Sequence, residues 1–149
     1  MEARLNPYKV SHGTYAAMMA LQTHADDTAL DPLLLELVKT RASQINGCAF
    51  CLAMHTKDAR KKGESEDRLY LLNAWREVSI YSDRERAALA WTEAVTLVAD
   101  GHVPDDVFEE ARKQFSELEL VQLTMQIVTI NAWNRLAISF RAQPLIETK

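Results

Sequence analysis

The sequence predicts an all-α fold, one helical domain closed by a long and largely buried last helix. Three observations carry this. Gly and Pro number only four each in 149 residues, so few breakers interrupt the chain. The motif Ser-x-x-Glu, which caps helix N-termini, occurs at Ser82-x-x-Glu85 and again at Ser116-x-x-Glu119. The best alternating run, Glu77-Val78-Ser79-Ile80-Tyr81, is too short to build a sheet.

The helices follow in order. Asp31 is an N-cap with Pro32 at the first helical position. Behind it Leu34, Val38, Ala42 and Ile45 share one face, and Gly47 supplies a left-handed stop. A second helix is expected over 48–62, with two lysines in its last turn and Gly63 beyond. Ser65 starts a third, with Glu66 and Asp67 at the positive end of its dipole. The Ser82 box opens a helix to about 99 with Ala87, Trp91, Ala94, Val95 and Val98 as its apolar stripe, and Gly101 closes it. Pro104 opens a short helix to about 115. The Ser116 box starts the longest one, which ends before Pro144. Between 120 and 134 that helix carries no charge, so it reads as the centre of the bundle and in part as a subunit interface. No linker, repeat or low-complexity tract divides the chain, which reads as one domain over 1–149 with its core at about 8–141.

Composition narrows the function. A net charge of −4 argues against nucleic acid, whose binders carry a basic stripe. The one basic cluster, Arg60, Lys61 and Lys62, is followed by Glu64, Glu66 and Asp67 and reads as a solvated face. No run approaches the ~18 apolar residues that span a bilayer. The N-terminus lacks a secretory apolar region, so a cytoplasmic, reducing setting is expected. There, two cysteines three residues apart are no permanent bridge, which leaves redox chemistry, metal binding or coincidence.

The chemistry-bearing stretch is Gly47-Cys48-Ala49-Phe50-Cys51-Leu52-Ala53-Met54-His55. Cysteines at i and i+3 in a helix's first turn sit within ~5–6 Å at Cβ, close to disulfide reach. The free N–H groups and the dipole of that turn favour thiolate over thiol. His55 lies one turn beyond Cys51 on the same face and can take its proton near neutral pH. If the helices on either side of Gly47 fold back as a hairpin, Glu36 lies ~16 Å and His55 ~12 Å from the turn. Those levels allow a carboxylate–imidazole bond, with Cys51 at ~6 Å beyond the direct reach of Glu36. A relay from Cys51 through His55 or water to Glu36 is expected.

Glu36, eleven intervening residues, then Cys48-x-x-Cys51-x-x-x-His55 resembles the AhpD-like alkylhydroperoxidases of the carboxymuconolactone decarboxylase superfamily. The run Ile130-Asn131-Ala132-Trp133-Asn134-Arg135-Leu136 is similar to that superfamily's final helix, and the resemblance covers about 8–141. It implies an AhpD-like helical bundle assembled as a trimer or hexamer and a thiol-dependent peroxidase that needs no cofactor. It also implies an organic hydroperoxide as substrate and a separate thiol reductant as partner. Cys51 would attack the peroxide, Cys48 would resolve the product to a disulfide, and Glu36 with His55 would relay protons. The best-known members carry histidine where this chain has Phe50, which bears on the tuning of the thiols.

Other readings of the same residues stand beside this one. The cysteines could be buried apolar filler. Cys48, Cys51 and His55, with Glu36 as a fourth donor, could hold zinc in a non-catalytic oligomeric module. The site could act on protein disulfides, or the fold could act on a lactone, although ring opening needs no vicinal thiols. His12, His24 and His102 have no partner in register and read as structural, His102 in an exposed turn. Met18, Met19, Met54 and Met125 read as core filler, and Trp91 and Trp133 as packing. Arg135 is expected to pair with a carboxylate at an interface.

Overall fold

The computed structural model of the chain describes residues 1–144 and 146, and is helical with no strand among them. The last residues of the expected domain, 145 and 147–149, lie outside the described residues. The α-helices are α1 (Pro7–Val10), α2 (His12–Asp26), α3 (Pro32–Asn46), α4 (Ala49–Lys61), α5 (Glu66–Tyr70), α6 (Asp83–Thr96), α7 (Val98–Gly101), α8 (Asp105–Gln114) and α9 (Glu117–Phe140), with a 3₁₀ segment at Leu72–Glu77. No helix among the described residues is long and apolar enough to cross a membrane.

The caps act as their residue types dictate. Asp31 accepts from the Leu33 N–H at 2.9 Å, and both Ser-x-x-Glu motifs form complete capping boxes. Gly47 ends α3 at φ +69°, and the turn closes through the Cys48 N–H on the Ser43 carbonyl at 3.0 Å. A Cβ at Gly47 would meet nothing within 4 Å, so only the backbone conformation resists substitution. Gly47→Ala is therefore expected to cost about 1 kcal/mol and lower Tm by about 3 °C in calorimetry. A loss several times larger would mean that the turn is held by something other than its dihedral.

The helix at the centre is α3. It packs against α4, α6 and α9, and buries Leu34, Leu35, Leu37, Val38, Ala42 and, among polar residues, Glu36, Thr40 and Ser43. On one side Leu34 and Val38 meet Trp91, Leu123 and Ile127. On the other, Leu37 meets Ala59, Leu72, Trp75 and Leu89. Glu93 fastens α3 to α6 and the 3₁₀ segment, accepting from Arg41 and from the Trp75 indole, each at 2.8 Å.

Several expectations need correction. The centre of the bundle is α3 and not α9, whose uncharged stretch is one-sided: Leu120, Leu123, Ile127, Ile130 and Asn134 face inward, while Val121 and Val128 are exposed, as are Leu118 and Ile138 on either side. The helix from Ser82 breaks at Leu97 before reaching 99, so Val98 is exposed and outside the stripe. His102 takes the left-handed φ, +52°, just after Gly101, and is exposed as expected. The N-terminal helices α1 and α2 carry no periodic signal, because α2 buries only Ala25. Helix-favouring Ala, Met, Leu and Gln form it, and burial leaves no pattern to read.

Candidate active site

The site is built where α3 turns into α4. Because Gly47 reverses the chain, Cys48 becomes the N-cap of α4 and its sulfur accepts the Cys51 N–H at 3.5 Å. Both cysteines are free and 1% exposed, packed with Ala42 and Ile130. The Cys51 thiol donates to the Cys48 sulfur, and this bond is the chief reason that Cys48 falls from the ordinary thiol range to about 7. Burial opposes it, while the Cys51 N–H, the Asn134 amide and the Phe50 N–H assist. Cys51 is pushed up, first by donating that proton, then by burial and by the Cys48 charge. Above about pH 7 the reduced pair thus holds one proton between its two sulfurs, with the negative charge directed toward Cys48.

Asn134 faces this pair from α9. It is fully buried, its Oδ1 accepts from Asn46 at 2.9 Å, and its Nδ2 donates to Ser43 Oγ at 3.1 Å. The Ser43 hydroxyl proton is committed to the Lys39 carbonyl at 2.8 Å, so Ser43 can only accept from the amide. The clamp turns N–H toward the sulfurs, which favours thiolate. Buried asparagines within an uncharged stretch were the signal available for this contact, since such groups require partners.

Glu36 and His55 meet as the hairpin arithmetic anticipated. The ring's Nδ1–H donates to Glu36 Oε2 at 2.9 Å, with Glu36 3% and His55 8% exposed. Lys62 Nζ lies 2.6 Å from Glu36 Oε1, so this lysine belongs to the site and not to the solvated face expected of it. Lys39 Nζ stands 3.6 Å from the same oxygen. Burial alone would push the Glu36 carboxyl up; the bonds from His55 and Lys62 and the Lys39 charge outweigh it and bring it down to about 2.

Cys51 and His55 border a cavity of about 480 Å³ walled by Tyr8, Tyr15, Met19, Phe50, Met54 and Trp133. Cys48 is not among its lining residues. Tyr8 stands edge-on to Tyr15, ring centres 5.5 Å apart, and to Trp133 at 6.4 Å. The Trp133 indole is fixed by donating to Gln22 Oε1 at 2.9 Å. Burial first, and then the negative charge that the Cys51 sulfur or the Tyr15 phenol would carry if ionised, raise the Tyr8 phenol. Met19 and Met54, 37% and 41% exposed, are cavity wall and not core filler, and Trp133 does more than pack. Tyr8 and Tyr15 escaped the sequence reading, since their helices gave no period.

Arg135 finds no carboxylate among the described residues; it donates to the carbonyl and Oδ1 of Asn131, each at 3.0 Å. No group of three or more His, Cys, Asp or Glu side chains among the described residues is gathered as a metal site would require, so the zinc donor set is not assembled. A larger hollow of about 580 Å³ lies by Trp75, Arg76, Asp83 and Arg86. Its cations are occupied, Arg86 on the Trp75 and Val78 carbonyls at 3.0 Å and Arg76 on Glu93 at 2.5 Å.

Comparison with known proteins places this geometry in context. Residues 13–94 match the model of the Carboxymuconolactone decarboxylase family. The uncharacterized protein YdfG of Bacillus subtilis is 40% identical over 139 residues, which are 93% of this chain and 95% of that one. A solved protein of unknown function from Agrobacterium tumefaciens, with a suggested identity as the antioxidant defence protein AhpD, superposes with a TM-score of 0.95. It is 44% identical, over 98% of this chain and 100% of that chain. The debrominase Bmp8 superposes with a TM-score of 0.81 at 19% identity, over 92% of this chain and 74% of its own, a likeness of fold alone.

Proposed function

The chain belongs to the carboxymuconolactone decarboxylase family and has its all-α, AhpD-like fold, and from that premise we propose that it is a thiol-dependent peroxidase acting on organic hydroperoxides. The observation that carries this reading is that Cys51 and His55 border one cavity while Cys48 lies against Cys51 behind it. In this reading the Cys51 proton passes to His55, and the thiolate attacks the outer peroxide oxygen. An S–O bond forms, the O–O bond breaks, and the departing alkoxide takes the proton from the imidazolium. Cys51 is left as a sulfenic acid. The Cys48 thiolate then attacks the Cys51 sulfur, the S–S bond forms, and hydroxide leaves and is protonated to water. A separate thiol reductant reopens the disulfide, which suits a reducing, cytoplasmic setting.

The cavity supports an uncharged, apolar substrate, since its lining includes no Lys, Arg, Asp or Glu. Sulfurs 1% exposed disfavour a protein disulfide, which could not bring its own sulfur to Cys51 without opening the wall. Exposed apolar side chains on α9 and on α2 support assembly with further copies, as a trimer or hexamer.

Single turnover tests the reading without a known reductant. The reduced protein, mixed with cumene hydroperoxide, is expected to lose two thiols per alcohol formed, at least tenfold faster than with hydrogen peroxide at equal concentration. Thiol loss no faster than that of free cysteine would sink it.

A further inference from the structure

Glu36 stands between two hollows. On one side it holds His55, which borders the sulfur cavity. On the other it borders a second hollow of about 280 Å³, together with Lys62, Lys39 and Asp26. Its two oxygens are divided accordingly: Oε2 takes the ring's Nδ1–H at 2.9 Å, and Oε1 takes Lys62 Nζ at 2.6 Å, with Lys39 at 3.6 Å. These three and Asp26 are the charged groups that face it from α2, α3 and α4. Neither α6 nor α9, which also pack on α3, brings an ion pair to it among the described residues.

The state of this carboxyl decides the tautomer of the ring. An ionised Glu36 can only accept, so Nδ1 carries the hydrogen and Nε2 keeps a lone pair. A protonated Glu36 would donate to Nδ1, move the ring hydrogen to Nε2 and remove the base from the sulfur side. Burial at 3% exposure pulls toward that second state. The ammonium on Oε1 pulls the other way, and it is the closer of the two lysines.

We propose that Lys62 is a positioning residue: by holding Glu36 as a carboxylate, it fixes His55 with hydrogen on Nδ1 and a free Nε2 turned to the sulfur cavity. This rests on the reading of His55 as the base for Cys51, but its test needs no peroxide. The Lys62 side chain is 41% exposed at the end of α4, so truncating it leaves the core intact.

Lys62→Met and Lys62→Arg, each compared with the unaltered chain by circular dichroism, would be followed by two measurements from pH 4 to 9. One is the rate of Cys51 alkylation by iodoacetamide, located by mass spectrometry. The other is the ¹⁵N spectrum of the His55 ring, which separates the tautomers. Lys62→Met is expected to slow Cys51 alkylation about tenfold at pH 7, to bring an acid limb into the measured range, and to move the ring toward Nε2–H. Lys62→Arg is expected to stay within about threefold of the unaltered chain and keep the Nδ1–H tautomer. If Lys62→Met misfolds, Lys62→Gln, which keeps a donor but no charge, must show the same shift. An unchanged tautomer and pH profile in the methionine or glutamine variant overturns the proposal. So does an arginine variant as impaired as methionine. Because alkylation proceeds without hydroperoxide, a chain that fails to turn over peroxides can still pass or fail this test.

Discussion

Cys51→Ser is expected to abolish hydroperoxide turnover, whereas Cys48→Ser should still consume one hydroperoxide per chain and stop there. The asymmetry follows from placement. Cys51 borders the cavity, and Cys48 does not. A serine at 51 leaves no nucleophile facing substrate, and the loss should exceed about 10³-fold, equal to about 4 kcal/mol of barrier. A serine at 48 leaves the attacking sulfur in place but nothing to displace hydroxide from its sulfenic acid, which dimedone would trap at stoichiometric yield. The pH dependence of the intact pair adds a sign. Cys48 is lowered to about 7, so a single thiolate should appear across neutral pH, visible as absorbance near 240 nm. The second thiol should not ionise below the ordinary thiol range, because Cys51 is raised. Equal hydroperoxide consumption and equal dimedone labelling in the two serine variants, in a single-turnover measurement, would reject the assignment of roles.

Glu36→Gln should give the second large effect, on activity and on stability together. The amide cannot neutralise Lys62 and Lys39, and it offers the ring an ambiguous partner. Turnover is expected to fall about 100-fold, in the range typical of a lost acid–base or positioning partner. On stability, the folded carboxyl lies at about 2 against an ordinary value of 4.5. A depressed carboxyl stabilises the fold above its unfolded value, and the contribution fades as pH falls through 4.5 toward 2. The full difference corresponds to about 3 kcal/mol. Urea unfolding of the native chain should therefore weaken steadily between pH 5 and 2. Glu36→Gln should start lower at pH 7 and lack that part of the slope. If both proteins lose stability in parallel as the pH is lowered, Glu36 is not the group responsible.

What the sequence disclosed, and what it withheld, follows one physical line. Elements defined by their own neighbours were readable: Asp31-Pro32 and Gly47 bounded α3, and the two capping boxes opened α6 and α9. The contact between Glu36 and His55 was also within reach, because two helices folded about a known turn fix the levels of their residues. Partnerships across the fold were not. Lys62 looked like one more solvated cation, since nothing local shows that the helix end hangs over a buried carboxylate. The Asn46–Asn134 clamp joins residues 88 positions apart. Tyr8 and Tyr15 lay on helices without a hydrophobic period, for the reason that those helices bury almost nothing.

That same sparse burial of α2 has a mechanical consequence. Tyr15 and Met19, which wall the sulfur cavity, ride on a helix whose one buried residue is Ala25, tied to α9 by the Gln22–Trp133 bond and by Gln126 on the Ala25 carbonyl. A segment so lightly held unzips at far smaller free energy than the bundle behind it, where α3 is gripped on several sides. Amide hydrogen exchange is therefore expected to be faster in α2 than in α3. Local opening of α2 would widen the cavity beside Cys51 and leave α3, α4 and α9 in place.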